Sequence, residues 1–115
     1  LETMWISNHG GRALNNNWHP INLLDQYNLR EKHPNLNIII DGGIRKGSDA
    51  LKALVLGSDC FALGRVLVYG LIVSGKEGVI FTLKKILEEL QASILNSGIK
   101  YLDGKFLIND IIKND

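Results

Sequence analysis

Three glycine-bearing segments of the sequence carry side chains that can move a proton or hold an anion. The first contains His9 and Arg12, the second Asp41 and Arg45, and the third Arg65. Imidazole exchanges protons near neutral pH, and guanidinium groups bind carboxylates and phosphates through paired hydrogen bonds. His9 can therefore serve as a general base beside Arg12, which can hold a substrate carboxylate. At this spacing, a histidine and an arginine more often have a structural role and bond to carbonyl groups of their loop. Both the catalytic and the structural interpretation of His9 and Arg12 therefore stay open.

The second and third segments also have the composition of a phosphate site. Gly42, Gly43 and Gly47 permit close approach of the backbone to a ligand, ahead of a helix whose N-terminus favours negative charge. Arg45 and Arg65 can add charge-assisted hydrogen bonds to the same anion. An ordinary turn between a strand and a helix often has this composition, so the pattern favours phosphate binding and an ordinary turn about equally.

Alternating apolar runs and turns predict the elements that position these segments. We expect strands over 3–7, 37–40 and 60–63, with Cys60 buried, and helices over 21–31, 47–56, 67–73 and 79–96. This order is typical of an α/β protein with a parallel sheet and right-handed crossovers. The segments after the three strands then meet at the carboxyl edge of the sheet, where such folds bind ligands.

Composition excludes several classes of protein. The 115 residues carry 13 Lys and Arg against 12 Asp and Glu, a formal net charge of +1, which argues against binding nucleic acid through bulk charge. Apolar runs free of charge and glycine are far shorter than the ~20 residues of a membrane-spanning helix, so we expect none. One cysteine excludes an internal disulfide or a cysteine-rich zinc site, and no metal site is expected. Because the chain opens inside a predicted strand, we expect a fragment or a shortened gene product.

Four motifs closely resemble the FMN-dependent α-hydroxy-acid dehydrogenases and oxidases, a family that includes flavin L-lactate dehydrogenase, glycolate oxidase and mandelate dehydrogenase. The motifs stand in the family's order and at its intervals: SNHGGR at 7–12, DGGIRKGSD at 41–49, LKALVLG at 51–57 and LGR at 63–65. The resemblance implies an α/β (β/α)8 TIM barrel of which residues 1–115 form the C-terminal three βα units. A complete barrel typically has about 250 residues, so the barrel is incomplete and its first half is absent.

The resemblance also assigns roles to residues. It implies that His9 is the catalytic base and contacts the substrate, and that Arg12 binds the substrate carboxylate. The implied cofactor is FMN, held by residues of all three segments: Ser7, Asp41, Gly42, Gly43, Ile44, Arg45, Gly64 and Arg65. In this family an L-2-hydroxy acid such as L-lactate loses a proton to the base and two electrons to the flavin, which yields the 2-keto acid.

The same resemblance leaves alternatives for the chain itself. It can be part of a longer enzyme, a truncated or degenerate remnant without activity, or a non-redox barrel module that binds FMN or another phosphate. We expect the isolated chain to show no stable FMN binding and no oxidation of L-lactate, because its sheet has open edges. A homo-oligomer or a complementary N-terminal half are the expected partners. We expect a cytoplasmic location, or a full-length enzyme peripheral to a membrane.

Overall fold

A computed structural model describes residues 2–12 and 18–99 of the chain. In this part of the chain a three-stranded parallel sheet is ordered β1-β2-β3, and helices follow its strands. The α/β fold with co-directional neighbouring strands is therefore confirmed. The elements in chain order are β1 Thr3–Ile6, a 3-10 turn at His9–Gly11, α1 Pro20–Tyr27, α2 Leu29–Lys32, β2 Asn37–Ile40, α3 Gly47–Val55, β3 Cys60–Phe61 and α4 Arg65–Ser97.

The central strand β2 forms the middle of the core. Its residues pair with β1 from Thr3 opposite Asn37 to Ile6 opposite Ile40, and with β3 over two positions. Ile38 and Ile40 are 0% and 1% exposed, as expected of a strand covered on its helix-facing side. The cluster around them draws on α1, α3 and α4 and includes Leu24, Leu36, Ile44, Ala50, Ala53, Leu54 and Leu90. Burial of this apolar surface holds the helices against the sheet.

The helix predicted over 21–31 is two helices. Pro20 occupies the first turn of α1, where its missing N–H costs nothing. Asn28 then adopts a left-handed conformation with a φ of 47°, which ends α1 and begins α2. Asparagine tolerates this region better than most residues, so the prediction of one continuous helix was wrong at a residue whose type permits a break.

A buried arginine ties α2 to the amino ends of β2 and β3. Arg30 is 7% exposed and forms an ion pair with Asp59. Its guanidinium group also donates to three backbone carbonyl oxygens, of Gly57 at 3.0 Å, Pro34 at 3.1 Å and Leu36 at 2.9 Å. The carboxylate of Asp59 in turn accepts the backbone N–H of Ile38 at 2.7 Å. We call this set the amino-end network, because it lies at the end of the sheet opposite the glycine-bearing loops.

The helix α3 follows β2 and is fixed at its N-terminus by two carboxylates. Lys46 is the residue that caps α3, and the Asp49 side chain accepts the backbone N–H groups of Arg45 and Lys46 at 3.1 and 3.2 Å. The Glu89 carboxylate accepts the N–H of Gly47 at 3.0 Å from across the interface with α4. Negative groups at a helix N-terminus offset its dipole, so both carboxylates stabilise α3 where it leaves the loop.

The helices predicted over 67–73 and 79–96 belong to one element with a break. In α4 the backbone leaves helical geometry at Ser74 and at Gly75, which has a φ of 56°. The two parts then cross so closely that a Cβ added to Gly78 would lie 1.9 Å from the carbonyl oxygen of Gly70. Two glycines therefore permit the crossing, and the break between them separates the two helical parts that the sequence predicts.

Much apolar surface lies exposed at the edge of this structure. By length and composition alone α4 is long and apolar enough to cross a membrane, but its backbone breaks at Ser74 and Gly75. The expectation of no membrane-spanning helix therefore stays a prediction. Cys60 is exposed where it was predicted to be buried, because β3 spans only two residues and pairs on one side. The strand predicted over 60–63 is thus shorter than expected and covers Cys60–Phe61. On α4 the exposed apolar side chains include Tyr69, Leu71, Ile72, Val73 and Phe81.

Candidate functional site

The loops after the three strands enclose one cleft of about 500 Å³ at the carboxyl edge of the sheet. This volume is within the usual range of a site for a small molecule or cofactor. All ten residues that the sequence singles out line it: Ser7, His9, Arg12, Asp41, Gly42, Gly43, Ile44, Arg45, Gly64 and Arg65. The parallel sheet explains the convergence, since neighbouring co-directional strands deliver their following loops to the same edge. The individual roles of these residues stay predictions.

The loop after β1 presents His9 in a strained conformation. His9 has a φ of 52°, in the left-handed region, and Gly10 and Gly11 follow with φ values of 66° and 85°. A non-glycine residue in this region costs free energy and is held there by its surroundings. The hydroxyl oxygen of Ser7 accepts the backbone N–H of His9 at 3.1 Å, which helps to fix the turn. The imidazole itself is exposed toward the cleft.

The carboxylate of Asp41, directly after β2, is held on both oxygens. The Ser7 hydroxyl donates to Oδ1 at 2.6 Å, and the indole N–H of Trp5 donates to Oδ2 at 2.9 Å. Short hydrogen bonds to an ionised carboxylate are stronger than those between neutral groups. The first and second loops are therefore joined at the base of the cleft, and Asp41 faces it with its position fixed.

Three arginines give the cleft its positive charge. Arg65 begins α4 and donates through Nη2 to the carbonyl oxygen of Gly10 at 3.2 Å, so the third loop also holds the first. Arg12 and Arg45 are exposed, and their side chains make no hydrogen bond to any residue that the structure describes. Guanidinium groups in such a position are available to an anionic ligand.

The glycines of the second loop leave space that larger residues would fill. A Cβ at Gly42 would lie 2.6 Å from the side-chain oxygen of Asn8, and Gly42 and Gly43 have φ values of 98° and 83°. That Asn8 oxygen is buried without a hydrogen-bond partner among the described residues. Gly64 precedes α4, whose first turn has no acidic residue and no side-chain cap. Free backbone N–H groups at this helix start, with Arg45 and Arg65 nearby, fit the phosphate of FMN.

Five further residues line the cleft without having been singled out from the sequence: Trp5, Gly10, Ala62, Leu63 and Val66. Trp5 contributes a side chain that is 61% exposed. Alternation along a strand places Trp5 and Ser7 on the same face, so this periodicity carried the missing signal. Gly10 takes part through its carbonyl oxygen, which residue type does not reveal.

In this chain the loops after parallel strands gather a histidine, three arginines and several glycines in one cleft, at the edge where α/β barrels carry their sites. The chain belongs to the FMN-dependent dehydrogenase family, which it matches over residues 1–105. Proteins of this family depend on FMN. A cofactor with a phosphate group accounts for two arginines and several glycines in the same cleft as a histidine.

Curated relatives agree with this assignment. The L-lactate oxidase of Lysinibacillus sphaericus is 39% identical over 110 residues, which cover 96% of this chain and 28% of the relative. The L-lactate dehydrogenase (cytochrome) of Saccharomyces cerevisiae is 37% identical over 101 residues, covering 82% of this chain and 17% of the relative. The chain thus spans less than a third of the length of these relatives.

Solved structures show the same partial match. A lactate oxidase of Pediococcus acidilactici superposes with a TM-score of 0.72 at 36% identity and covers 98% of this chain and 30% of its own. A flavocytochrome b2 variant with sulfite bound gives a TM-score of 0.75 at 31% identity, over 96% of this chain and 28% of its own. The chain therefore has the fold of part of a TIM-barrel flavoenzyme, which confirms the predicted incomplete barrel.

Proposed function

We propose that this chain is the C-terminal segment of a longer (β/α)8 enzyme that oxidises an L-2-hydroxy acid to the 2-keto acid with FMN. The observation that carries the proposal is the single cleft shared by all ten predicted site residues. In it, His9 and Arg12 stand on the first loop, and Arg45 and Arg65 stand on the second and third. L-Lactate is the substrate chosen for the test, since an L-lactate oxidase and a 2-hydroxyacid oxidase are both relatives that are 39% identical.

The residues of the first loop carry the chemistry of the substrate. Arg12 binds the carboxylate of the hydroxy acid through its planar fork, which orients the neighbouring carbon and its hydroxyl group. The imidazole of His9 then accepts a proton from the substrate and keeps it within the cleft. FMN, when bound, would supply the acceptor for the two electrons and the second hydrogen that the hydroxy acid loses.

The residues of the second and third loops hold the cofactor. Arg45, Arg65 and the N-terminus of α4 bind the phosphate, where positive charge and free N–H groups coincide. Asp41 accepts hydrogen bonds from ribityl hydroxyl groups, since a carboxylate keeps free lone pairs after two bonds have formed. Gly42 and Gly43 allow the ligand to lie against the backbone. Ser7, Ile44 and Gly64 complete the cradle.

The test inserts the whole chain into a complete barrel. In what we call the barrel chimera, this chain replaces the matching segment of the Lysinibacillus sphaericus L-lactate oxidase. The chimera is expected to purify with FMN and to oxidise L-lactate with a dye acceptor. His9→Ala should lower kcat by about 10²–10⁴-fold, because base removal has that effect, while FMN stays bound. His33→Ala, in the exposed residue that ends α2, is the matched control and should leave kcat unchanged.

Other results would contradict the proposal. A folded chimera without FMN would indicate a degenerate remnant, and a flavin-loaded chimera without turnover of L-lactate would indicate a non-redox module. Full activity in His9→Ala would show that His9 is not the base. The isolated chain should hold no stable flavin, because within the described residues both outer strands of the sheet have an unpaired edge. Yellow isolated protein after purification would contradict that expectation. Cytoplasmic location of the full-length enzyme is part of the proposal, and fractionation of cells that produce it would test this.

A further inference from the structure

A chain of hydrogen bonds leads from an indole in the cleft to the backbone of the base. The indole N–H of Trp5 donates to Oδ2 of Asp41 at 2.9 Å, and the Ser7 hydroxyl donates to Oδ1 at 2.6 Å. The Ser7 oxygen then accepts the N–H of His9 at 3.1 Å. We call this series of hydrogen bonds, from Trp5 through Asp41 and Ser7 to His9, the relay. Each side chain in it fixes the next, and it ends at His9, whose φ is 52°.

The relay sets the direction of the Ser7 hydroxyl group. A serine hydroxyl has one proton and two lone pairs, and its proton rotates freely unless an acceptor holds it. The Asp41 carboxylate takes that proton, which turns a lone pair of the Ser7 oxygen toward the N–H of His9. The carboxylate is in turn kept from rotating by the indole of Trp5, because an N–H bond on its second oxygen fixes the carboxylate plane.

We propose that Trp5 is a positioning residue for His9, acting through Asp41 and Ser7. The inference rests on the proposed function, since it requires His9 to be the base. Loss of the indole N–H frees the Asp41 carboxylate to rotate, and the Ser7 hydroxyl then loses its fixed direction. The strained turn at His9 becomes less populated, so fewer molecules present the imidazole at the substrate. Arg12, which binds the substrate carboxylate, takes no part in the relay.

The test compares tryptophan variants in the barrel chimera. Trp5→Phe keeps an aromatic ring but removes the N–H, and should lower kcat about 3- to 10-fold, the effect of one hydrogen bond to a charged group in a partly exposed position. The KM for L-lactate and the FMN content should both stay within about twofold of wild type. A loss of folding would instead change kcat, KM and FMN content together. Trp18→Phe, at an exposed tryptophan outside the cleft, is the matched control and should leave kcat unchanged.

A double-mutant cycle shows whether the effect passes through the carboxylate. In an Asp41→Ala background, Trp5→Phe should cause no further loss of kcat, because its hydrogen-bond acceptor is gone. If that background does not yield folded protein, Ser7→Ala, one step further along the relay, replaces it. An equal loss in both backgrounds, or an unchanged kcat for Trp5→Phe, would overturn the inference and leave the proposed function intact. A wild-type chimera without turnover would overturn both.

Discussion

Substitution of Arg30 is expected to cost more stability than any change at the surface. The guanidinium group is 7% exposed, pairs with Asp59 and donates to three backbone carbonyls. In Arg30→Ala, those carbonyl oxygens lose their donor and the Asp59 carboxylate keeps one hydrogen bond, to the N–H of Ile38.

The expected magnitude follows from these contacts. Breaking a buried ion pair by removal of one partner typically costs about 3–5 kcal/mol. Asp59 is 25% exposed, so water partly solvates its free carboxylate and the lower half of that range applies, about 3–4 kcal/mol. Arg30→Lys keeps the charge but loses the planar fork, and should therefore recover only part of the loss.

Urea unfolding of the barrel chimera, followed by far-UV circular dichroism, measures the effect. With the slope of about 1–3 kcal/mol/M that is typical of small proteins, a loss of this size lowers the midpoint by about 1 M or more, and a larger slope makes the shift proportionately smaller. Lys85→Ala is the matched control: its ion pair with Glu88, at 3.3 Å, is more than half exposed on both sides and should contribute less than about 1 kcal/mol. If the midpoint of Arg30→Ala lay within roughly 0.2 M of the control, the loss of stability would be far smaller than burial of the ion pair predicts. That result would refute the explanation.

Two further changes test the glycine cradle and the start of α3. Gly42→Ala should greatly reduce the FMN content of the barrel chimera, because the new Cβ would lie 2.6 Å from the Asn8 oxygen; Gly98→Ala, also at positive φ but in open space, should keep normal flavin content. Glu89→Gln should lower stability by about 0.5–1 kcal/mol, since its carboxylate faces the N-terminus of α3, whereas Glu88→Gln should change it less. Equal flavin content in the two glycine variants, or equal midpoints in the two glutamate variants, would contradict these explanations.

Local sequence patterns predicted the elements whose chemistry is local. The run of isoleucines at 38–40 indicated β2 with the bounds it has, because a run of β-branched apolar residues is typical of a strand covered by helices in a parallel sheet. Glycine-bearing loops after each strand placed every predicted site residue in one cleft, since strand direction dictates where loops emerge.

What the sequence did not predict depends on contacts between distant residues. The left-handed turn at Asn28 divides a helix whose apolar spacing is continuous. The indole N–H of Trp5 finds its acceptor 36 residues later, and Glu89 caps a helix 42 residues earlier. In such cases the sequence shows which residue is polar, but not which residue it bonds to. The exposure of Cys60 has another origin, because its strand has a neighbour on one side within the described residues.

The amino-end network and the cleft lie at opposite ends of the same three strands, and this separation has a consequence for how the sequence can change. Mutations around Arg30 can change the stability of the fold while the residues that line the cleft keep their geometry. Conversely, residues of the loops around the cleft can change without disturbing the hydrogen bonds of the amino-end network. The stability of the fold and the ligand selectivity of the cleft could therefore be engineered separately in this chain.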